Sequence, residues 1–343
     1  MPETDFSILY KSQSYFTAVP KVSIIITDYI RHSYLDESIK SIVEQDIQFS
    51  EIELIILTDS KNCSYKQIPN ELSSIVFYTG LITMGKSYEF ALRVCRGEII
   101  CPLDNDDVFR RDKISKVLSY FKQHKNLTLL KNEILPFGAK ANFLTRISFL
   151  LRMNVRLVCT NKIYFINDSV SNKILGKSLF HNVSSMSFRK SMFESEEELA
   201  NLSEVVSIPD PFLFFHALSK SGEVAFLDDT LTYYRIDENL GGGDFTAIYC
   251  NKNKIRYQVD LMNNYFIRVF KNEKKKIFNV LYKIFNLLVT LELFIKGNEL
   301  NSVHKKDLTF LLKFSLTSEA PNYFLIVLTY LVYTVKSHLY VRR

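Results

Sequence analysis

Glu98-Ile99-Ile100-Cys101-Pro102-Leu103-Asp104-Asn105-Asp106-Asp107 is the stretch on which the fold turns. An apolar run from Glu98 to Leu103 that stops abruptly at a polar turn reads as a buried strand. It delivers Asp104, Asp106 and Asp107 together at its end. Carboxylates this close repel one another unless a cation or solvent offsets the charge, and hard oxygen donors of this kind suit Mg²⁺ or Mn²⁺. The competing reading is a solvated turn with an Asp capping the helix that starts at Lys113.

Working outward, Val22–Thr27 (VSIIIT) and Ile52–Thr58 (IELIILT) are two more buried strands, and Ile75–Tyr78 is a weaker third. A helix is predicted from about Ser33, with Leu35, Ile39, Ile42 and Val43 on one face. Another covers Ser87–Cys95, with Gly97 as the residue that closes it. Strands and helices alternating at such short spacing define an α/β fold with a mostly parallel sheet flanked by helices. Ligands in such sheets bind beyond the carboxyl ends of the strands, where Asp28, Asp59 and Asp104–Asp107 fall.

The chain has 343 residues, 47% of them hydrophobic, which suffices for a large core and excludes wholesale disorder. Net charge is +6, unevenly spread. Residues 1–244 carry 27 basic and 31 acidic side chains; residues 245–343 carry 16 and 6. Five scattered cysteines without a C-x-x-C pair speak against a disulfide framework or zinc cluster and for a reducing compartment. No secretory leader is expected at the N-terminus, and no uncharged apolar stretch reaches about 18 residues.

Downstream, Leu199–Pro209 reads as a loop, Phe212–Ser219 as a helix, and Val224–Leu227 and Leu231–Arg235 as strands. Gly241-Gly242-Gly243 marks a boundary, dividing a body of residues 1–244 from a basic, apolar C-terminal helical extension of residues 245–343. Within the extension, Ile277–Ile295 and Tyr323–Val335 are apolar, and Arg268, Lys271 and Lys274–Lys276 precede the first. This pattern fits helices lying at an anionic membrane surface, or a subdomain packed on the body. Nucleic acid is not expected, since the basic residues flank apolar helices rather than interleave with exposed aromatics. None of the six histidines shows ligand spacing.

Three segments in order resemble glycosyltransferase family 2, the inverting nucleotide-sugar enzymes of the GT-A, Rossmann-like fold. They are Val22-Ser23-Ile24-Ile25-Ile26-Thr27-Asp28-Tyr29-Ile30-Arg31, with Tyr34-Leu35 and Gln45 beyond it; Glu53–Lys61; and Cys95–Asp107. The resemblance implies that Asp59 reads the nucleotide base and that Tyr29 lies in the donor site. It implies that Asp104 sits near the ribose or the metal, and that Asp106 holds an Mg²⁺ or Mn²⁺ bridging the diphosphate. Asp28 and Ile30 depart from the usual Thr and Asn, which leaves a UDP-type or GDP-type donor open.

Further on, His181–Lys190 is similar to the segment in which small residues precede an Arg-Lys pair, which implies an acceptor-side place for Arg189 and Lys190. Asp210 takes the general-base position, with a helix N-cap as its structural alternative. Leu231–Asn239 is similar to a motif that makes Arg235 a diphosphate contact, with Asp237 where the family has His. The implied enzyme moves a sugar to the hydroxyl of a lipid-linked glycan or surface polysaccharide, at the inner face of the cell membrane from the cytoplasm. The alternatives are a soluble transferase acting on a protein or free glycan, and a catalytically silent GT-A-like binding module.

Overall fold

A computed structural model describes residues 6–236 apart from 17–18, 30–31, 63–64, 81, 139–158, 168–178, 180 and 207. Of the extension it describes residues 261–262, 264–266, 281–284, 286–287, 309 and 313. Strand β1 is Ser7–Lys11, β2 Val22–Asp28, β3 Ile52–Thr58, β4 Ser73–Tyr78, β5 Ile99–Asp104, β6 Val108–Phe109, β7 Leu127–Phe137, β8 Ile163–Phe165, β9 Met186–Arg189 and β10 Glu223–Arg235. Helix α1 is Leu35–Val43, α2 Met84–Val94, α3 Lys113–Gln123, α4 Glu196–Ser203 and α5 Pro209–Ser219.

These strands form one mixed sheet in the order β1-β4-β3-β2-β5-β9-β7-β10-β6, with β8 paired to β10. The expected parallel core is present. β2 lies between β3 and β5, and its register sets Asp28 beside Thr58 and Thr27 beside Asp104. Every side chain of β2 and β3 is buried, which is why these strands read as continuous apolar runs. The two faces are covered by separate apolar clusters, one containing α2 and α5, the other containing α1 and α3.

Two expectations need correction. Leu199–Pro209 is a loop only beyond Ser203: α4 begins at Glu196, and Ser195 and Glu198 form a reciprocal capping box at its N-terminus. Gly97 does not close α2 in a left-handed conformation. A Cβ there would lie 2.4 Å from the backbone nitrogen of Ser23, so the position demands glycine for close approach to β2. Its N–H donates to Ser23 Oγ at 2.8 Å. That hydroxyl in turn donates to the buried Glu53, whose other partners are the Arg96 backbone and guanidinium.

Val224–Leu227 and Leu231–Arg235 are parts of the single strand β10, whose pairing with β7 shifts register between Leu227 and Thr232. Strand β7, unforeseen from the sequence, carries Lys131, Asn132 and Glu133 in its middle, all buried. Lys131 donates to Ser185 Oγ, and Asn132 donates to Thr232 Oγ1 at 3.1 Å.

The Gly241–Gly243 boundary, Asp237, Arg268–Lys276 and Tyr323–Val335 lie outside the described residues. Part of the described extension packs on the body. Met262, Tyr265, Phe266, Leu281 and Ile284 are buried in the same cluster as α5. Phe266 and Tyr282 meet the Phe215 ring edge-on, at centroid distances of 6.0 and 5.1 Å. Tyr265 hydroxyl reaches His216 Nδ1 at 3.0 Å, and His216 Nε2 reaches the Met192 carbonyl at 2.9 Å. No helix among the described residues is long and apolar enough to cross a membrane.

Candidate functional site

The carboxyl ends of β2, β3 and β5 gather the expected acidic residues in two groups. The first lies at β2 and β3. Asp28 is fully buried, and a buried carboxylate persists only with donors around it. It has three: Thr58 Oγ1 at 2.9 Å, Asn105 Nδ2 at 2.7 Å and His32 Nδ1 at 2.8 Å. The other ring nitrogen of His32 faces Asp59 Oδ1 at 3.3 Å. The expected base-reading Asp59 is therefore tied through one imidazole to the residue that departs from the family pattern. Tyr29 lies alongside, its hydroxyl 2.9 Å from both Thr79 Oγ1 and Ser87 Oγ. Burial raises its pKa.

The second group is the Asp104–Asp107 turn with Asp210. It is not a solvated turn: Asp107 is fully buried and Asp104 and Asp106 are partly so. Asp107 accepts from Asn182 Nδ2 at 2.8 Å through one oxygen and from the Arg235 backbone N–H at 3.0 Å through the other. Its backbone carbonyl accepts from Ser38 Oγ at 2.8 Å. Asp107 is thus the keystone of the turn, with the partly buried Asp104 and Asp106 beside it. Nor does the cap of α3 come from this turn; its N-cap is Asp112, which makes no side-chain capping bond.

Asp210 is in the first turn of α5, behind an N-cap of Ile208, so the capping alternative does not hold. The loop before β9 holds it instead: Asn182 N–H donates to Asp210 Oδ2 at 3.2 Å. Asn182 has φ of 64°, a left-handed conformation that Asn tolerates better than most residues. That twist lets one residue bind Asp210 by its backbone and Asp107 by its side chain.

Electrostatics tie the group together. Asp104 is pushed well above the usual carboxylate range by burial and then by Asp107, Asp106 and Asp210. Burial likewise raises Asp107, and takes Asp210 up to about 7 against the opposing charge of Lys131. Tyr234 is raised by burial and by the same four carboxylates. Beneath them lie two buried lysines. Lys113 donates to the Ser184 carbonyl and to Thr232 Oγ1 at 2.9 Å, and burial lowers it to about 7.

Arg235 is brought to this group, though chiefly as a clamp. Nε donates to the Asp106 carbonyl at 2.8 Å, a terminal nitrogen pairs with Glu37, and the guanidinium stacks on Tyr34 and Phe137. Arg189 and Lys190 are not brought to the site. Arg189 pairs with Ile99 at the opposite end of β5, roughly 17 Å from Asp104 at about 3.3 Å per residue. There Arg189 binds Glu98 and the Leu127 and Phe121 carbonyls, and Lys190 binds the Cys95 carbonyl. The antiparallel insertion of β9 reverses the chain, so a motif read as acceptor-side turns its basic pair away. A groove of about 790 Å³, lined in part by Lys21, Glu98, Lys122 and Arg189, opens at this far end and not at the carboxylates.

Sequence reasoning missed His32 and Asn182. His32 stands four residues after its partner Asp28, a spacing that could have flagged it, while Asp59 reaches it only through the sheet. Asn182 is an ordinary polar residue until its backbone conformation is known.

No set of three or more His, Cys, Asp or Glu side chains among the described residues is arranged to hold a metal ion. The donors fit a different kind of cation site, in which one or two carboxylates hold the ion and phosphate oxygens and water complete its shell. Asp104 is consistent with that fit: burial raises it first and the neighbouring carboxylates second, and a dication would offset the crowded charge.

A mixed sheet covered by helices on both faces carries converging carboxylates at its strand ends. The Glycosyl transferase family 2 model matches residues 23–194, half of the chain, and the protein belongs to that family. Minor teichoic acid biosynthesis protein GgaB of Bacillus subtilis (strain 168) is 30% identical over 112 residues, covering 30% of this chain and 12% of that one. Poly(ribitol-phosphate) beta-N-acetylglucosaminyltransferase TarS of Staphylococcus aureus is 26% identical over 116 residues, 32% of this chain and 20% of TarS. The chain thus spans a minor part of these relatives' length. The crystal structure of S. aureus TarS 1–349 with UDP-GlcNAc aligns at a TM-score of 0.49 with 15% identity, over 90% of this chain and 91% of that one.

Proposed function

We propose that this protein transfers a sugar from a nucleoside-diphosphate sugar to an acceptor hydroxyl with inversion at the anomeric carbon. The observation that carries this reading is the meeting of Asp104, Asp106 and Asp210 at the strand ends, with Asp210 raised to about 7. A general base works best with a pKa near the operating pH. Asp210 takes the acceptor's proton as the acceptor oxygen bonds to the anomeric carbon, and the sugar–diphosphate bond breaks on the opposite face. Asn182 holds Asp210 in place through its backbone N–H. Asp104 and Asp106 would hold a divalent cation. When bound, such an ion neutralises the departing diphosphate as a Lewis acid.

Asp59 and Tyr29 form the nucleoside end of the site. The acceptor we favour is a surface polysaccharide or lipid-linked glycan, since relatives include teichoic acid and poly(ribitol-phosphate) proteins. We place the reaction at an anionic membrane surface on the cytoplasmic side, on the strength of the basic and apolar runs of residues 268–335. A thermal-shift screen of nucleoside diphosphates and their sugars, with and without Mn²⁺, tests the reading. Stabilisation by a nucleotide that Mn²⁺ enhances is expected, and no shift with any of them would refute it.

A further inference from the structure

Two lysines lie buried beneath the carboxylates, and proton removal by Asp210 calls on neither of them directly. Lys113 opens α3 and Lys131 sits in the middle of β7, with 0% and 3% of their surface exposed. A buried amine is held only where acceptors surround it. Both lysines direct donors at one short turn, Asn182–Ser185. Lys113 donates to the Ser184 carbonyl, and Lys131 donates to the Ser185 hydroxyl.

From Ser185 the hydrogen bonds run on to the site. The hydroxyl that accepts from Lys131 donates to the Asn182 carbonyl at 2.7 Å, and the Ser185 N–H reaches the same carbonyl at 3.2 Å. Asn182 in turn donates its N–H to Asp210 Oδ2 and its side-chain amide to Asp107 Oδ2. Ser184 Oγ accepts from the Asp104 N–H at 2.9 Å, so this turn touches Asp104, Asp107 and Asp210. The weak point of the arrangement is Asn182, whose φ of 64° is a left-handed conformation. Such a conformation persists only where surrounding bonds over-determine it. With its carbonyl released, the Asn182 backbone relaxes toward ordinary φ, and the N–H aimed at Asp210 turns away. The Lys131–Ser185 pair is the restraint on that carbonyl. The same lysine opposes the rise that burial imposes on the Asp210 carboxyl.

We propose that Lys131 is a positioning residue for the transfer step: through Ser185 it locks Asn182 in its left-handed conformation and so fixes Asp210 for the acceptor hydroxyl. The inference rests on the reading of Asp210 as base and deepens it.

The test is steady-state turnover by the full chain with Mn²⁺, using the nucleotide sugar that wild type consumes fastest from a panel of UDP- and GDP-sugars with glycan acceptors. Nucleoside diphosphate affinity is titrated calorimetrically, and melting temperatures are recorded for each variant. Lys131→Met keeps most of the side chain's length and removes its donor. It is expected to lower kcat about tenfold to a hundredfold while nucleotide affinity stays within about twofold. Ser185→Ala breaks the same chain with the lysine in place and is expected to lower kcat to a similar degree. The double variant is expected to be no slower than the slower single one, since both act through Asn182. In an Asp210→Asn background, Lys131→Met is expected to have no further effect on kcat. Wild-type kcat in Lys131→Met or Ser185→Ala, a fall in nucleotide affinity as deep as that in kcat, single effects that multiply in the double variant, or further slowing of Asp210→Asn overturns the inference and leaves the base reading standing. Where Lys131→Met fails to fold, Ser185→Ala decides by the same kcat and affinity criteria. Wild-type turnover in Asp210→Asn, or turnover of no donor by wild type, overturns both.

Discussion

Replacing Asp107 with Ala should unfold the protein more easily without touching a ligand-binding carboxylate. Asp107 is fully buried, and its two oxygens accept from Asn182 Nδ2 at 2.8 Å and the Arg235 backbone N–H at 3.0 Å. Alanine leaves both donors buried without partners, at about 1–3 kcal/mol each. Part of this is returned, because burial of the charged form raises Asp107 and so opposes folding at neutral pH. A net loss of about 2–4 kcal/mol results, a large share of the roughly 5–15 kcal/mol that holds a domain together. Asp107→Asn removes the charge but turns an amide donor toward one of two donors, and should fall between wild type and Ala. Urea denaturation at pH 7 followed by circular dichroism measures both. A change below about 0.5 kcal/mol in Asp107→Ala, the level of an ordinary surface substitution, would refute the keystone role.

Three further outcomes are expected. Asp106→Ala should leave the melting temperature within a few degrees of wild type while removing the Mn²⁺-dependent part of nucleotide binding; a retained Mn²⁺ effect would remove Asp106 as the ion's ligand. Burial holds His216 at about 4, below its unfolded value, so the unfolded chain takes up the proton first as pH falls. His216 by itself should therefore withdraw about 2 kcal/mol of stability between pH 7 and pH 5, opposite in sign to the raised carboxyls, and the stability difference between wild type and His216→Gln in parallel urea titrations should carry that slope. Tyr265→Phe removes the hydroxyl 3.0 Å from His216 and should cost about 1 kcal/mol; no change in the same titrations would show that the extension's docking does not depend on that bond.

Much of the fold was legible because β2, β3 and β5 are buried on both faces, so their apolar runs are continuous and end at the carboxylates. The parts that were not legible are those where side chains answer to distant neighbours. Strand β7 hides behind polar residues such as Lys131 and Asn132, whose partners Ser185, just before β9, and Thr232, on β10, are about 50 to 100 positions away. Helix α4 carries its own local signal in Ser195 and Glu198, the spacing of a capping box. At the site, Asp59, Asp104, Asp106 and Asp210 fell where motif order put them. Arg189 and Lys190 did not, because the antiparallel entry of β9 sends them to the other end of the sheet, a reversal that no local spacing encodes. The approach of His32 to Asp59 required knowing that β2 and β3 are neighbours in register.

The central claim is that Asp210 is the base of an inverting sugar transfer at these strand ends. The most direct measurement is turnover of nucleotide sugars on glycan acceptors by wild type and Asp210→Asn, with donor binding titrated in parallel and the product's anomeric configuration read by NMR. The account predicts nucleoside diphosphate release coupled to an inverted product, and a rate that falls below pH 7 as the carboxyl of Asp210, at about 7, takes up its proton. It predicts a loss of about a hundredfold or more in Asp210→Asn with donor affinity preserved. Turnover in Asp210→Asn equal to wild type, or a product of retained configuration, would contradict it.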